Sequence, residues 1–275
     1  MNNKTVVITG ASDGIGLEAA RQLKSQGANV VVIGRSPEKT EAVGQELGVP
    51  YYITDFAKLD EVRTLAASLR KEYPRIDVLV NNAGGVCGKR ELTVDGFEKT
   101  MQVNHLAHFL LTNLLMDVLV ASKAIVINTS SAANSLFSDF DIDDLNMEKK
   151  FNTNKAYGNS KLENILFTKE LDRRYGSEGI SAVAFHPGAV ATNFASESNG
   201  FFRFLYHSPL KKLAGLISPA KGADTLIWLA TTEPRKVWIP GEYYVKRKVT
   251  KANDKAYDPD LAKSLWKQSE AMAAI

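Results

Sequence analysis

Four residues in this 275-residue chain have side chains suited to moving a proton onto or off a carbon-bound oxygen. Tyr157 and Lys161 stand four residues apart in Tyr-Gly-Asn-Ser-Lys, so on a helix they share a face. A phenol with a pKa of about 10 is a poor proton donor or acceptor at neutral pH, and an adjacent ammonium favours the phenolate and draws that value down. Such a pair also occurs on exposed helices, where it carries no chemistry. Ser131, preferred over Ser130, follows the apolar run from Ala124 to Asn128 and offers a hydroxyl to a carbonyl or alcohol oxygen. Asn104 lies in the apolar segment Val103-Asn104-His105-Leu106. A buried amide there needs partners, so it is either a structural amide or the holder of a water in a proton relay.

A second group of residues has types suited to a dinucleotide. Thr9-Gly10-Ala11-Ser12-Asp13-Gly14-Ile15-Gly16 follows one short β-branched run and opens a helical pattern. Glycines let a backbone turn sharply and approach a pyrophosphate, and the helix that starts near Gly14 would aim its free N–H groups at the anion. A tight strand-to-helix turn is the plainer alternative. After the second run, Arg35 and Ser36 stand where an NAD-binding site needs a carboxylate for the ribose. A guanidinium can pair with a 2′-phosphate, which favours NADP over NAD, though a solvated surface arginine would look the same. Asp13 weighs mildly the other way, because its charge lies in the loop nearest that phosphate. Asp55, followed by Phe56, is suited to accept from an adenine amino group or to cap a helix. Asn82, Ala83 and Gly84 close the fourth run with small residues and amides that let a flat cofactor lie against the backbone.

The elements that must position these residues follow from periodicity. Thr5 to Thr9, Asn29 to Ile33, Tyr51 to Ile53, Asp77 to Asn81, Ala124 to Asn128 and Ile180 to Phe185 read as buried strands. Helix-length stretches separate them. Ile15, Leu17, Ala19, Ala20 and Leu23 have helical spacing before Gly27, as do Val62, Leu65, Ala66 and Leu69 before Pro74, and the Tyr157 helix runs to about Tyr175. This alternation predicts an α/β fold: one Rossmann-like, doubly wound parallel sheet with helices on both faces, occupying residues 1–275 as a single domain. Ligands in such sheets bind beyond the carboxyl ends of the strands, where all the residues above fall.

With these motifs assembled, the chain resembles the short-chain dehydrogenase/reductase family, and within it the retinol dehydrogenase and protochlorophyllide reductase group. Thr9, Gly10, Gly14 and Gly16 match the family's glycine pattern, Asn81 to Gly84 its Asn-Asn-Ala-Gly, and Tyr157 and Lys161 its Tyr-x-x-x-Lys. Ser131 and Asn104 complete an Asn-Ser-Tyr-Lys set, and Pro187, Gly188, Val190 and Thr192 resemble the loop that holds the nicotinamide carboxamide. The resemblance implies hydride transfer between nicotinamide and a carbonyl or alcohol carbon, with Tyr157 passing the proton, Ser131 positioning oxygen and Lys161 also touching the nicotinamide ribose. Relatives commonly self-associate through helices on the sheet flanks. A non-catalytic NADP-binding regulator is the alternative, though it would have no need of all four reacting residues. An epimerase fits less well, because the glycine spacing differs.

Composition sets the outer bounds. The 34 basic and 31 acidic residues leave a formal charge of +3, too balanced for nucleic acid or an anionic membrane as the main partner. The lone Cys87 offers no disulfide framework, which suggests a reducing, cytoplasmic setting. No secretory leader or integral membrane span is expected: the apolar stretch from Leu106 to Val120 is interrupted by polar residues and reads as a buried or amphipathic helix. The four histidines lack zinc spacing, and Asp139 to Asp143 lacks the glycine and final acid of a calcium loop, so no metal is expected. Lys246-Arg247-Lys248 reads as a solvated terminal stretch. The aromatic run from Phe201 to Tyr206 falls in an expected substrate lid around residues 190–217 and suggests a hydrophobic substrate, core packing being the alternative.

Overall fold

Short runs of two to six residues, most of them rich in β-branched side chains, build the sheet in the computed structural model, which describes residues 1–190 and 217–275. The strands are β1 (Thr5–Thr9), β2 (Asn29–Gly34), β3 (Tyr51–Ile53), β4 (Val78–Asn81), β5 (Ile125–Thr129), β6 (Ser181–His186), β7 (Tyr243–Val245) and the two-residue β8 (Lys248–Val249). They lie in the order β3-β2-β1-β4-β5-β6-β7-β8. Every neighbouring pair is parallel except the terminal β7–β8 hairpin. The six expected strands are present to within one residue at each end. The last two escape a periodicity reading because they are too short to show one.

Both faces of the sheet are buried, as parallel strands require when helices cover each side. Val6 and Ile8 join Val30, Val32, Val78, Val80, Ile125 and Ile127 in one core. Val7, Val31, Leu79 and Val126, one residue out of phase, join the other. The first core is covered by α1 (Gly14–Ser25), through Ala19, Ala20 and Leu23, by α2 (Pro37–Leu47), and by a later helix, Pro219–Thr231. The second is covered by α3 (Leu59–Glu72) and by α4, which runs from Lys99 to Leu114 with a π-helical turn at Gln102–Leu106. Beyond it α5 (Met116–Ser122) turns away by 67°.

Among the described residues no single helix is long and apolar enough to cross a membrane. The stretch from Leu106 to Val120 is instead core: Leu106, Phe109, Leu110, Leu111, Leu115 and Leu119 are fully buried. After the short α6 (Ala133–Leu136), the 23-residue α7 (Thr153–Tyr175) carries Tyr157 and Lys161. Next come α8 (Pro219–Thr231) and the terminal α9 (Pro259–Ala273), whose Leu265 packs in a cluster with Leu162, Ile165 and Leu166 of α7. Lys246-Arg247-Lys248 is exposed, but Lys246 and Arg247 are the turn of the β7–β8 hairpin and Lys248 opens β8, and Arg247 pairs with Asp224 of α8 at 2.8 Å. Thr192, the run from Phe201 to Tyr206 and nearly all of the expected lid lie outside the described residues.

Phe109 joins α4 to both later helices, with ring centroids 5.4 Å from Phe167 and 5.0 Å from Trp266. Truncating it removes a fully buried ring from the second core. Phe109→Ala is expected to lower unfolding stability by about 3–5 kcal/mol, read as a shifted urea midpoint with unchanged slope. A loss below about 1 kcal/mol would show that the helices collapse into the space.

Candidate active site

The strand order reverses at β1, whose neighbours β2 and β4 leave their following helices on opposite faces, and this opens a crevice at the carboxyl ends. Gly10 forms the first wall with a φ of +65°. A Cβ there would stand 2.7 Å from the Ala83 Cα, so only glycine lets the loop after β1 meet the loop after β4. Polar bonds hold the meeting: Asn82 Nδ2 donates to the carbonyls of Thr9 (3.0 Å) and Gly10 (3.2 Å). Asp13 caps α1, its carboxylate accepting from the Gly14 N–H at 2.7 Å.

A cavity of about 760 Å³ runs along this crevice. At one end lie Ser12, Asp13, Arg35 and Ser36; Gly10, Gly14, Ile15, Asp55, Phe56, Asn82, Ala83 and Gly84 follow; Ser131, Tyr157, Lys161, Pro187, Gly188 and Val190 line the other end. The structure thus gathers nearly all the sequence-derived candidates on one surface. Gly16 and Asn104 stand behind it. A Cβ on Gly16 would lie 2.3 Å from the Gly10 carbonyl oxygen, so Gly16 shapes the loop from within. Asn104 is buried, and its side chain accepts from the Gly85 N–H (2.9 Å) while donating to the Gly85 carbonyl (3.0 Å) and to Ser160 Oγ (2.9 Å). Its polar side chain is therefore used in clamping the loop that carries Gly84.

Other candidates acquire specific surroundings. Ser130 points inward and donates to the Lys161 carbonyl at 2.7 Å, whereas Ser131, less buried, accepts only from the Ala133 N–H at 3.2 Å among the described hydrogen bonds of its side chain. Asp55 accepts from the Ala57 N–H at 3.0 Å, a turn ahead of α3 rather than the helix cap weighed against adenine binding, since α3 has Lys58 at its N-cap position. Lys39, which sequence reasoning missed, lines the phosphate end and pairs with Asp13 at 3.0 Å, offsetting the acid that argued against a 2′-phosphate. The signal was available, since Pro37 starts α2 and places Lys39 in its first turn, four residues after Arg35. Val86, Val103, Leu136 and Phe137 on the substrate side also went unread.

Burial dominates the electrostatics of the reacting end. Tyr157 is 5% and Lys161 2% exposed. The Lys161 ammonium lies 5.5 Å from the centre of the Tyr157 ring and donates to the Thr129 carbonyl at 3.2 Å. Desolvation lowers Lys161 from 10.5 to about 7. Hydrogen-bond acceptors arriving with a ligand would favour the charged form that tunes the phenol. Among the described residues no cluster of His, Cys, Asp and Glu could hold a metal ion.

A parallel sheet with a glycine-lined crevice at its reversal point, a helix N-terminus at one end and a Tyr–Lys pair at the other, defines a dinucleotide-binding oxidoreductase. The model of the short chain dehydrogenase family matches residues 4–200, and the chain belongs to that family. It is accordingly an NAD(P)-dependent oxidoreductase acting at carbonyl or alcohol carbon. It is 41% identical, over 98% of its length and 92% of the relative's, to a Streptomyces sp. (strain C5) protein bearing the name daunorubicin C-13 ketoreductase DnrU. Human retinol dehydrogenase 13 is 36% identical over 99% of this chain and 85% of the relative. Among solved structures, a Mycobacterium paratuberculosis protein superposes with a TM-score of 0.79 at 31% identity, covering 99% of this chain and 94% of that one. The NADP complex of Pseudomonas aeruginosa RhlG gives 0.70 at 25% identity, covering 88% and 94%.

The low value at Lys161 has a consequence for pH. Between about pH 7 and 10.5 the unfolded chain keeps a lysine proton that the folded chain has released, so stability rises with pH across that window and is lost as pH falls toward 7. Lys161→Met removes this dependence. The melting-temperature advantage of the variant over ligand-free wild type is expected to be largest near pH 7 and to shrink toward about pH 10. A gap that stays constant over this range would show that the folded protein keeps the ammonium charged.

Proposed function

We propose that this oxidoreductase prefers NADP(H) and acts on a bulky, largely apolar carbonyl compound or alcohol, with Tyr157 as the proton-transfer residue. The observation that carries the reading is one continuous cavity with Arg35 and Lys39 at one end and Ser131, Tyr157 and Lys161 at the other. The glycine backbone at Gly10 and Gly14, both with positive φ, leaves room for a pyrophosphate against the start of α1. Arg35 and Lys39 would face a 2′-phosphate. Ala83 and Gly84 would floor the nicotinamide end, with Pro187, Gly188 and Val190 opposite. Thr192, outside the described residues, completes that loop in the family pattern.

When bound, the cofactor supplies or accepts the hydride at its nicotinamide carbon. The chain's own residues handle the oxygen. Ser131 donates to the substrate oxygen and fixes its distance from the phenol. Tyr157 gives its proton to that oxygen in reduction and takes it back in oxidation, and Lys161, when charged, brings the phenol within range of neutral pH. Asn104 keeps the Gly84–Gly85 turn in place. Support for an apolar substrate comes from Val86, Val103, Phe137 and the 70% exposed Leu136 along the wall, and support for a bulky one from relatives named for daunorubicin and retinol. A cytoplasmic setting rests on the lone Cys87, and self-association on the family resemblance alone.

The test is oxidation of NADPH and NADH against aromatic, long-chain and small polar carbonyl compounds. Tyr157→Phe is expected to lower kcat by about 10²–10⁴-fold with cofactor binding intact. Turnover unchanged by that substitution would end the assignment. Arg35→Ala is expected to weaken NADPH about 10–100-fold and to leave NADH nearly unaffected, as loss of a charge-assisted pair predicts. Equal weakening of both cofactors would show that Arg35 serves the loop rather than the phosphate. Faster turnover of the small polar compounds would refute the apolar substrate.

A further inference from the structure

His108 lies outside the cavity wall, is 2% exposed and touches both halves of the site. Its Nε2 is 3.0 Å from Thr9 Oγ1, and its Nδ1 is 3.2 Å from the backbone carbonyl of Asn104, four residues earlier on α4. Thr9 Oγ1 also receives the N–H groups of Asn82 (2.8 Å) and Ala83 (2.9 Å). Nδ1 faces a carbonyl, so it carries the ring proton, and a neutral imidazole then presents a bare Nε2 as acceptor. The Thr9 hydroxyl, its acceptor sites filled by the two N–H groups, has one hydrogen to give, with Nε2 at 3.0 Å and the Val80 carbonyl at 3.2 Å from its oxygen.

We propose that His108 is a positioning residue for the reaction: one neutral imidazole, bonded at both nitrogens, fixes the cofactor floor relative to the helix turn that carries Asn104. The inference rests on the functional reading above and deepens it. From the ring, one path runs through Thr9 to the backbone of Asn82 and Ala83. The other runs through the Asn104 carbonyl to Asn164 Nδ2 (3.1 Å), which also donates to the Thr129 carbonyl (3.0 Å), the acceptor of Lys161. The ends of β1, β4 and β5 and the helices α4 and α7 thus share one hydrogen-bonded circuit, and a shift at Thr9 is transmitted toward the lysine. Burial lowers His108 to about 3, with Lys161 and His105 adding repulsion, and Phe56 meets the ring edge-on at 4.9 Å. The ring consequently stays neutral, in the tautomer that the bonds demand, over any working pH.

The test compares His108→Phe, which keeps a ring against Phe56 but no polar atom, with His108→Gln, whose amide offers a donor and an acceptor at similar spacing. kcat for carbonyl reduction by His108→Phe is expected to fall about 10–100-fold, with the substrate KM changed less than about threefold, and His108→Gln to recover to within about threefold of wild type. His108→Phe should cost less in a Thr9→Val background than in the wild type, because Thr9→Val already removes the hydroxyl that the imidazole bonds. His108→Leu makes the same comparison if the phenylalanine variant does not fold. Full activity in the apolar variants, or equal damage in His108→Gln, overturns the proposal. So does the loss of a pH limb in either variant, which would make His108 a titrating participant. Wild-type protein without carbonyl turnover would remove the functional reading itself, whereas active wild type with equally active variants removes only the role of His108.

Discussion

The site depends on how closely two loops can approach at the carboxyl edge of the sheet. Gly10 and Ala83 meet where a single added carbon would stand 2.7 Å from backbone. Because they meet, Asn82 can bridge to the carbonyls of Thr9 and Gly10, and the Thr9 hydroxyl can gather two N–H groups that would otherwise face a crevice without partners. Gly16 packs under the same loop, so α1 starts close enough to direct its N-terminus into the cavity. A wider crossing would separate the phosphate end from the floor on which the nicotinamide is proposed to lie.

The reacting end faces a different constraint, placing polar groups in a dry interior. Along α7, Asn159, Ser160, Lys161, Glu163, Asn164, Thr168 and Glu170 are all buried. Partners come from the strands and from α7 itself: Thr168 accepts from Asn128, which in turn accepts from Asn81, and Glu170 takes Arg173 and Arg174 one turn further along the helix. Burial, with Glu98 adding repulsion, raises Glu163 well above the ordinary carboxylate range. Lys161 is also desolvated, yet its chemistry requires that a charged form be within reach. The packed apolar clusters on each side of the sheet supply the stability that holds this arrangement, since exposed pairs such as Arg21–Glu46 contribute little.

Much of this was legible in the residues themselves. The first six strands show short apolar runs, and spacing alone picks out Gly10, Gly14, Asn82, Tyr157 and Lys161, which the structure gathers along one cavity. The residues that escaped did so for physical reasons. β7 and β8 are too short to reveal a period. α7 buries nearly its whole circumference, so polarity could not show which face turns inward. The preference for Ser131 over Ser130 could be stated from the sequence, but the contact that occupies the Ser130 hydroxyl, the Lys161 carbonyl, lies thirty-one residues away and is visible only in three dimensions. Lys39 could have been read from the start of α2. Asn104 was recognised as a buried amide, but its partner Gly85 lies nineteen residues away in sequence and is visible only in three dimensions.

The last helix reaches the reacting residues from behind. α9 sets Trp266 against Phe109 and Phe167, and Ser269 lies 3.0 Å from the His105 ring, next to Asn104. Its far end meets Arg63 of α3, whose guanidinium donates to the Ala273 carbonyl. During biosynthesis, β1 and its glycine loop are made before the strands that flank them and form the centre of a sheet whose neighbours are not yet there. The support behind Asn104 and Tyr157 arrives only with α9. A nascent chain can therefore pair its central strands early, but it acquires a finished reacting centre only once that helix has been made and has docked.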